Sequence, residues 1–282
     1  MAQLKYYGVF LTLFLFGACT NTSRNNLSIV QNKVSLSHGP DVTAGGGESY
    51  IITTPIAVYY LDKVGGGLSS MIDRDSIDWI GFHSAPGSAH KGEYRGFPNA
   101  IHKQDGSYFH AMNAGTDPST STIEKDTKDH VSISFISDNR QWKGTWDFYP
   151  DRCDFTMNEV SQGFHYWVQY EGVPGGEMDS TDFWYASNDT LKQSITTPFL
   201  GDLSPPEWMA FGDQHVSRVL YMLHHRDDDF PDNYVSRPDM TVLGFGRQNK
   251  DKFLDTEQTF SIGFIESIEY DEIEKAMNKI VE

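Results

Sequence analysis

Residues 131–171 read VSISFISDNRQWKGTWDFYPDRCDFTMNEVSQGFHYWVQYE. Apolar and aromatic residues occur here in short runs that alternate with polar residues, and Asp, Asn, Pro and Gly separate the runs. Alternation with a period of two is typical of half-buried strands, and turn residues at this spacing favour antiparallel hairpins. The stretch therefore predicts four consecutive strands, at residues 131–136, 144–148, 154–160 and 164–171.

The same pattern continues on both sides of this stretch. Further strands are predicted at residues 49–61 (with a break at Pro55), 67–72, 77–80, 216–225, 240–245 and 259–265. Only the C-terminus has helical periodicity, because in residues 271–281 apolar side chains recur three and four positions apart, at Ile273, Ala276, Met277 and Ile280. This arrangement predicts an all-β protein, a large antiparallel β-sandwich with a C-terminal helix.

The start of the chain predicts export. Lys5 is the only charged residue before an apolar run at residues 9–16, which is too short to span a bilayer and is typical of a signal peptide. The small residues directly before Cys19 resemble the lipobox of bacterial lipoproteins. We therefore predict that Cys19 is lipidated; a plain secretory signal with an incidental cysteine is the alternative.

This interpretation divides the chain into three parts: a signal peptide at residues 1–18, a flexible tether at residues 19–48 and a single sandwich domain at residues 49–282. The lipid would anchor the protein to the outer membrane, and we expect it to face the periplasm. Cys153 is the only other cysteine, so no internal disulfide is predicted.

Charge narrows the choice of partner. The chain has 22 basic and 39 acidic residues and a formal net charge of −17. This balance argues against nucleic acid, which requires clustered cations. Contact with a membrane is expected only through the lipid anchor. A local basic pocket remains compatible with a carboxylate or sulfate ligand. No cofactor motif is present, and no cofactor is predicted.

Residues 81–130 are predicted as a long irregular insertion, which in a compact domain is usually functional. They include GEYRGFPNA at residues 92–100, with Tyr94 and Arg95, and further on His110. A β-elimination on a uronic acid requires that the carboxylate be neutralised, the C5 proton removed and the group leaving C4 protonated. Arg95 suits the first task, and His110 and Tyr94 suit the other two.

The same insertion supplies Asn99 and His102, which we predict as substrate-binding residues; Asn99 is an alternative partner for the carboxylate. The competing interpretation is a glycine-rich loop whose tyrosine and arginine only pack and pair.

Residues 221–232 read YMLHHRDDDFPD and form the second candidate stretch. His224 and His225 are neighbours on a predicted strand, so their side chains lie on opposite faces and are poorly placed to ligate one metal. The aspartates that follow lack the spacing of a calcium loop, and no metal is predicted. We expect one of the two histidines, together with Arg226, to border a sugar site. The alternative is a strand that ends in an acidic turn with one histidine buried.

The third candidate is FHYWVQYEG at residues 164–172. Its even-numbered residues are expected to face the core and its odd-numbered residues, including Trp167, the other side. An exposed Trp167 among hydrogen-bonding side chains would suit a sugar-binding surface, because aromatic rings stack on pyranose faces. The alternative is that a second sheet covers Trp167.

Four segments together, GGGLSSMIDRDSIDWIGF, GEYRGFPN, KGTWDFYPD and VLYMLHHRDDDFPD, resemble exported lipoproteins from polysaccharide-utilisation loci of marine Bacteroidetes. The resemblance covers residues 50–282 and is to the ulvan oligosaccharide dehydratase and lyase-like group. It implies a galactose-mutarotase-like supersandwich, a uronate-containing oligosaccharide as partner, and elimination across C4–C5 that forms an unsaturated uronate. A non-catalytic glycan-binding lipoprotein and a glycoside hydrolase that uses two carboxylates remain as alternatives.

Overall fold

The structure is a computed structural model, and it describes residues 33–44, 47–81, 96–98 and 118–281. These residues form nineteen strands, one helix and a short 3-10 turn at Pro174–Gly176. In chain order the elements are β1 (Ser35–Asp41), β2 (Gly47–Thr53), β3 (Ala57–Asp62), β4 (Leu68–Asp73), β5 (Ser119–Thr127), β6 (His130–Ser137), β7 (Trp142–Phe148), β8 (Cys153–Val160), β9 (Val168–Gly172), β10 (Asp182–Ala186), β11 (Asp189–Ser194), β12 (Phe199–Gly201), β13 (Glu207–Asp213), β14 (Val219–His224), β15 (Asp232–Arg237), β16 (Met240–Phe245), β17 (Arg247–Gln248), β18 (Asp251–Lys252), β19 (Gln258–Ile265) and α1 (Tyr270–Val281).

Seventeen of these strands form two layers, and β17 and β18 form a separate two-stranded hairpin. The first layer is one sheet of nine strands in the order β11-β10-β13-β14-β19-β8-β7-β6-β5. The second contains two four-stranded sheets, β1-β2-β3-β4 and β12-β15-β16-β9. Two residues join these sheets, because Phe97 pairs with Leu68 of β4 and Gly96 pairs with Glu171 of β9. Neighbouring strands are antiparallel throughout, as are both bridges.

Strand β7 shows how the local sequence produces this arrangement. In WKGTWDF the residues at odd positions of the strand are buried and those between them are half-buried. Trp146 is fully buried and its indole nitrogen donates to Gly66 O at 2.9 Å, so the polar atom is satisfied inside the core. A period of two thus places one face of the strand against the second layer.

Aromatic pairs fill the space between the layers. Ring centroids lie 5.2 Å apart for Tyr59 and Phe148, and 5.7 Å apart for Tyr170 and Phe211. Each pair joins a strand of the second layer to a strand of the first. Such contacts add about 0.5–1.5 kcal/mol beyond the apolar area that they bury, and they hold the sheets that carry the candidate site in register.

Helix α1 covers part of the outer face of the nine-stranded sheet. Ile273 and Met277 are buried against residues of β13 and β14, including Trp208 and Tyr221. Acidic residues occupy the first turn and Lys279 the last, which complements the helix dipole. In the described part of the chain, no helix combines the length and the apolar character needed to cross a membrane.

The predicted fold class is confirmed: the protein is an antiparallel β-sandwich with a C-terminal helix. The strands predicted within residues 131–171 correspond to β6, β7, β8 and β9, and the prediction for residues 240–245 matches β16. Residues 77–80 do not form a strand. They contribute one isolated β-bridge, between Ile72 and Asp78.

Two boundaries are wrong. The tether predicted at residues 19–48 overlaps β1, and the insertion predicted at residues 81–130 overlaps β5. Both strands lie at sheet edges and expose most of their side chains. Backbone hydrogen bonds to β2 and β6 hold them, so a polar composition that resembles a linker is compatible with a strand.

Candidate functional site

Trp167 and the outward-facing side chains around it form the first candidate site. We call it the Trp167 cluster; it consists of Trp167, Gln169, Glu171, Arg247 and Lys252. Strand β9 turns Val168 and Tyr170 into the core, as the sequence predicts, and therefore directs Gln169 and Glu171 to the opposite face of the sheet. Glu171 is nevertheless only 3% exposed and Gln169 only 4%.

Several contacts fix the position of Arg247. Its Nη1 donates to Gln169 Oε1 and its Nε donates to Asn249 O at 3.1 Å. The guanidinium carbon lies 4.6 Å from the centroid of the Trp167 ring. A Cβ at Gly244 would lie 2.7 Å from Arg247 Cδ, so the arginine stem occupies the space above this glycine. The guanidinium is therefore preorganised before any ligand arrives.

Lys252 adds a second cation. It pairs with Arg247 across the short β17–β18 hairpin, and its Nζ lies 4.1 Å from the centroid of the Trp167 ring. Burial and the nearby charge of Arg247 lower the pKa of Lys252. Burial also lowers the pKa of Arg247, and the charge of Arg237 contributes in the same direction. In a chain with a net charge of −17 this is a local region of positive charge.

Glu171 is the counter-charge of this region. Its Oε1 accepts a hydrogen bond from Gln169 Nε2 at 2.5 Å, so Gln169 connects the carboxylate to Arg247. The arrangement places a buried carboxylate, an oriented guanidinium and a desolvated ammonium group on one surface. It is suited to holding an anionic ligand.

The predicted exposure of Trp167 is wrong. The indole is 7% exposed, and two cationic groups lie over its ring. Among the described residues, both of these cationic groups come from the β17–β18 hairpin. Trp167 therefore positions Arg247 and Lys252 through cation–π contacts and is not an open platform for a sugar.

His224 belongs to a second group, which we call the His224 cluster: Glu207, His224, Asp228, Asp232 and Gln258. The imidazole is 1% exposed, with Nδ1 at 2.6 Å from Glu207 Oε2 and Nε2 at 3.1 Å from Gln258 Oε1. Burial raises the pKa of Glu207 to about 8 and lowers the pKa of His224. The two side chains form a buried hydrogen-bonded pair, in which burial disfavours the charged form of each.

His225 and Arg226 lie elsewhere. His225 is on the outer face of the nine-stranded sheet, where its Nε2 is 2.6 Å from Ser261 Oγ, and this hydroxyl donates to Asp154 Oδ1 at 2.5 Å. The hydroxyl lies between the imidazole and the carboxylate, which is not the order of a serine nucleophile triad. Arg226 is exposed on the loop after β14.

The structure therefore separates three predicted ligand-binding residues: Trp167 lies on the outer face of one layer, His224 at the end of the interior, and His225 on the outer face of the other layer. The predicted convergence of His224 or His225 with His110, Tyr94 and Arg95 stays a prediction, because these last three residues lie outside the described residues. Arg247 and Lys252 were missed by sequence reasoning. The available signal was weak: two basic residues bracket a short stretch that contains Asn249, a residue type common in turns.

The other predicted site residues lie outside the described residues: Cys19, Tyr94, Arg95, Asn99, His102 and His110. The segment Gly96–Pro98, between Arg95 and Asn99 in the chain, is described: Gly96 pairs with Glu171 and Phe97 pairs with Leu68.

A cavity of about 540 Å³ lies at the β6–β7 turn and the end of β8, beside Trp142 and Lys143. Its lining shares no residue with the Trp167 or His224 cluster.

Comparison with known proteins identifies the fold. No protein-family model and no curated protein matches the chain. Among solved structures, the protein HI1317 superposes with a TM-score of 0.56 at 12% identity, over 83% of this chain and 100% of that chain. YeaD from Salmonella typhimurium, a candidate mutarotase, has a TM-score of 0.50 at 10% identity, over 82% of this chain and 94% of that chain.

A galactose mutarotase related enzyme from Lactobacillus acidophilus has a TM-score of 0.49 at 10% identity, over 78% of this chain and 99% of that chain. At these identities the likeness to HI1317 and YeaD establishes the fold and nothing further. The expected β-sandwich is confirmed, and its fold is similar to that of the candidate mutarotase YeaD.

Proposed function

We propose that this protein acts on uronate-containing oligosaccharides and that it eliminates a group across C4–C5 of the uronate. The observation that carries the proposal is the position of Arg247: it is held by Gln169 and stacked on Trp167, beside Lys252 and the buried Glu171. A built cation pair on a strongly acidic protein is suited to selecting an anionic ligand at short range.

The proposed reaction needs no cofactor. The C5–H bond and the C4–O bond break, a C4–C5 double bond forms, and the departing oxygen takes up a proton. The negative charge that develops at C5 is delocalised into the adjacent carboxylate. Cations that neutralise this carboxylate therefore stabilise the transition state more than the ground state, which is the condition for catalysis.

We assign neutralisation of the carboxylate to Arg247, with Lys252 as the second cation. A guanidinium presents two parallel donors that match the two oxygens of a carboxylate. Both cations are partly buried, and burial lowers the pKa of each. Part of the cost of desolvating these cations is therefore already met in the folded protein before an anion binds.

We retain His110 and Tyr94 as the proposed acid and base, with Arg95 as a further partner of the carboxylate. The pairing of Gly96 with Glu171 supports the roles of Tyr94 and Arg95, because these two residues directly precede Gly96 in the chain. The role of His110 rests on the chemistry of its imidazole.

For location we propose the outer membrane, facing the periplasm, with a lipid on Cys19. Loss of palmitate labelling in Cys19→Ser would support the anchor, and retained labelling would refute it.

The first experiment is an ultraviolet absorbance assay on the purified protein, followed by mass spectrometry of the products. Uronate oligosaccharides from ulvan are the substrates, and alginate and pectin fragments are the comparison. A rise in absorbance from a new C4–C5 double bond would establish elimination. Loss of one water without shortening of the chain would identify a dehydratase, and two shorter fragments would identify a lyase.

The same samples separate the alternatives. Binding without a rise in absorbance would overturn the elimination and favour a glycan-binding lipoprotein. Shorter products without unsaturation would favour a glycoside hydrolase.

A second candidate function, interconversion of sugar anomers, is favoured by the likeness to the candidate mutarotase YeaD. Polarimetry on freshly dissolved sugars tests it, and an equilibration rate equal to that of buffer would exclude it for those sugars.

A further inference from the structure

We propose that Glu207, His224 and Asp228 form a binding site for a divalent transition-metal cation, with Zn²⁺ as the test ion. This inference is independent of the reaction proposed above. The sequence predicted no metal because His224 and His225 point to opposite faces of one strand. The structure supplies different partners for His224, one from the neighbouring strand β13 and one from the loop that follows β14.

The three side chains offer donor atoms of the type that such an ion requires. One imidazole nitrogen and one oxygen from each carboxylate all lie within 4.8 Å of one another. Zinc binds imidazole nitrogen and carboxylate oxygen at about 2.0–2.2 Å in tetrahedral geometry, so two bound donors lie roughly 3.3–3.6 Å apart. On binding, the proton between His224 Nδ1 and Glu207 Oε2, which are 2.6 Å apart, would be released, and the donors of all three residues would adjust around the ion.

His224 is oriented in the way that metal-ligating histidines usually are. Gln258 Oε1 lies 3.1 Å from Nε2 and is suited to accept its proton, which leaves the lone pair on Nδ1 directed at Glu207. The ring stacks on Phe260, with centroids 4.5 Å apart and planes at 13°. An outer hydrogen bond and a packed ring fix the tautomer and the direction of the lone pair.

Asp228 supplies the independent observation. Its Oδ1 accepts the backbone N–H of Phe230 at 2.7 Å, but Oδ2 is a buried atom with no hydrogen-bond partner among the described residues. The backbone N–H of Asp228 donates to Glu207 Oε1 at 2.9 Å, so the loop is already folded over the Glu207–His224 pair. A buried carboxylate oxygen without a donor is costly unless a cation serves it.

The surroundings favour a cation as well. Asp232 is 2% exposed beside this group, and its two oxygens accept the backbone N–H groups of Leu203 at 3.3 Å and Gly246 at 3.0 Å. Asp227 and Asp229 are exposed on the same loop. Arg226 is a nearby cation on this loop and is also exposed. A divalent ion between three inner donors would balance this concentration of carboxylates.

The test uses the untagged full chain, treated with a chelator and dialysed. Zn²⁺ alone is then added, bound metal is measured by equilibrium dialysis, and Tm is measured by calorimetry. We expect one Zn²⁺ per chain and a Tm that rises with the concentration of Zn²⁺. Asp228→Asn should weaken binding by at least about 10-fold and remove most of the rise in Tm. Asp228 is on a half-exposed loop, so this variant is expected to fold.

Asp229→Asn is the matched control, because it removes the same charge from the same loop at an exposed position. It should bind Zn²⁺ like the parent protein. Three results would overturn the proposal: no retained Zn²⁺ at a free concentration equal to that of the protein, undiminished binding by Asp228→Asn, or equal weakening by Asp229→Asn. The last would mean diffuse attraction by acidic side chains and not a defined site.

Discussion

Gly96 and Glu171 exchange two backbone hydrogen bonds, from Gly96 N to Glu171 O at 2.9 Å and from Glu171 N to Gly96 O at 3.0 Å. With the adjoining pair between Leu68 and Phe97, they join two four-stranded sheets into one layer. Glu171 consequently lies inside the layer and not at a sheet edge. Its side chain points outward but has neighbours on both sides, which explains why it is buried on an outer face.

The first prediction concerns Arg247. Arg247→Ala should weaken binding of a uronate oligosaccharide by about 10-fold or more, because a hydrogen bond to a charged group contributes about 1.5–3 kcal/mol. Calorimetric titration at low and high salt measures the loss, and the parent protein should show the stronger dependence on salt. Lys250→Ala is the control, because Lys250 is exposed on the same hairpin. Equal effects of the two substitutions would contradict the assignment.

The second prediction tests preorganisation through a residue that carries no functional group. Gly244→Ala should displace Arg247, since the new Cβ would lie 2.7 Å from Arg247 Cδ, and should reduce affinity although the arginine is retained. Gly201→Ala is the matched change: its Cβ would meet Phe199 at 3.5 Å, an ordinary contact. We expect normal affinity in Gly201→Ala. Unchanged affinity in Gly244→Ala would show that the position of the arginine stem is unimportant.

The third prediction concerns an ion network between the two layers. Arg218 is 3% exposed and contacts Asp73 Oδ2 at 2.5 Å, Asp75 Oδ2 at 2.7 Å and Glu266 Oε2 at 3.3 Å. Arg218→Ala would leave the buried Asp73 without its cation, so the free energy of unfolding should fall by about 3–5 kcal/mol.

Arg74 provides the control for this network, because it contacts the same Glu266 at 2.6 Å but its side chain is 52% exposed. Arg74→Ala should change the free energy of unfolding by no more than about 1 kcal/mol. Urea unfolding of the two variants measures the difference. Comparable losses would mean that burial does not determine the contribution of these ion pairs.

The fourth prediction concerns pH. Burial raises the pKa of Asp182 to about 7, and the charges of Asp179 and Asp213 act in the same direction. The pKa of Asp182 in the unfolded chain is about 3.9. At pH values between about 3.9 and about 7, the folded protein therefore holds the proton on this carboxyl more tightly than the unfolded chain does. The stability that the protonated carboxyl maintains at low pH is therefore lost as pH rises through this window.

Asp182→Asn should remove this contribution. Relative to the parent, its free energy of unfolding should increase with pH by at most about 1.4 kcal/mol per unit up to pH 7 and then remain constant. Asp138→Asn, at an exposed carboxylate, should leave the pH dependence unchanged. Urea unfolding at several pH values measures both, and parallel curves for Asp182→Asn and the parent would refute the raised pKa.

The amino-acid sequence by itself determined the strands with strong alternation, such as β6 and β7, the terminal helix, and the split between the core-facing Val168 and Tyr170 and the outward Gln169 and Glu171. These features repeat every 2 or 3.6 residues, so neighbours in the chain suffice to define them. The polar edge strands β1 and β5 escaped the sequence analysis because their hydrogen-bond partners, and not their own composition, make them strands.

Tertiary structure alone decided the composition of both clusters. Arg247 and Lys252 reach Trp167 across about eighty residues of chain, and His224 meets Glu207 and Gln258 from neighbouring strands. Such meetings depend on strand order and on register, and a shift of one residue would turn each side chain to the other face. Local periodicity gives the direction of a side chain relative to its own strand, whereas only the packed sheets determine what lies opposite it.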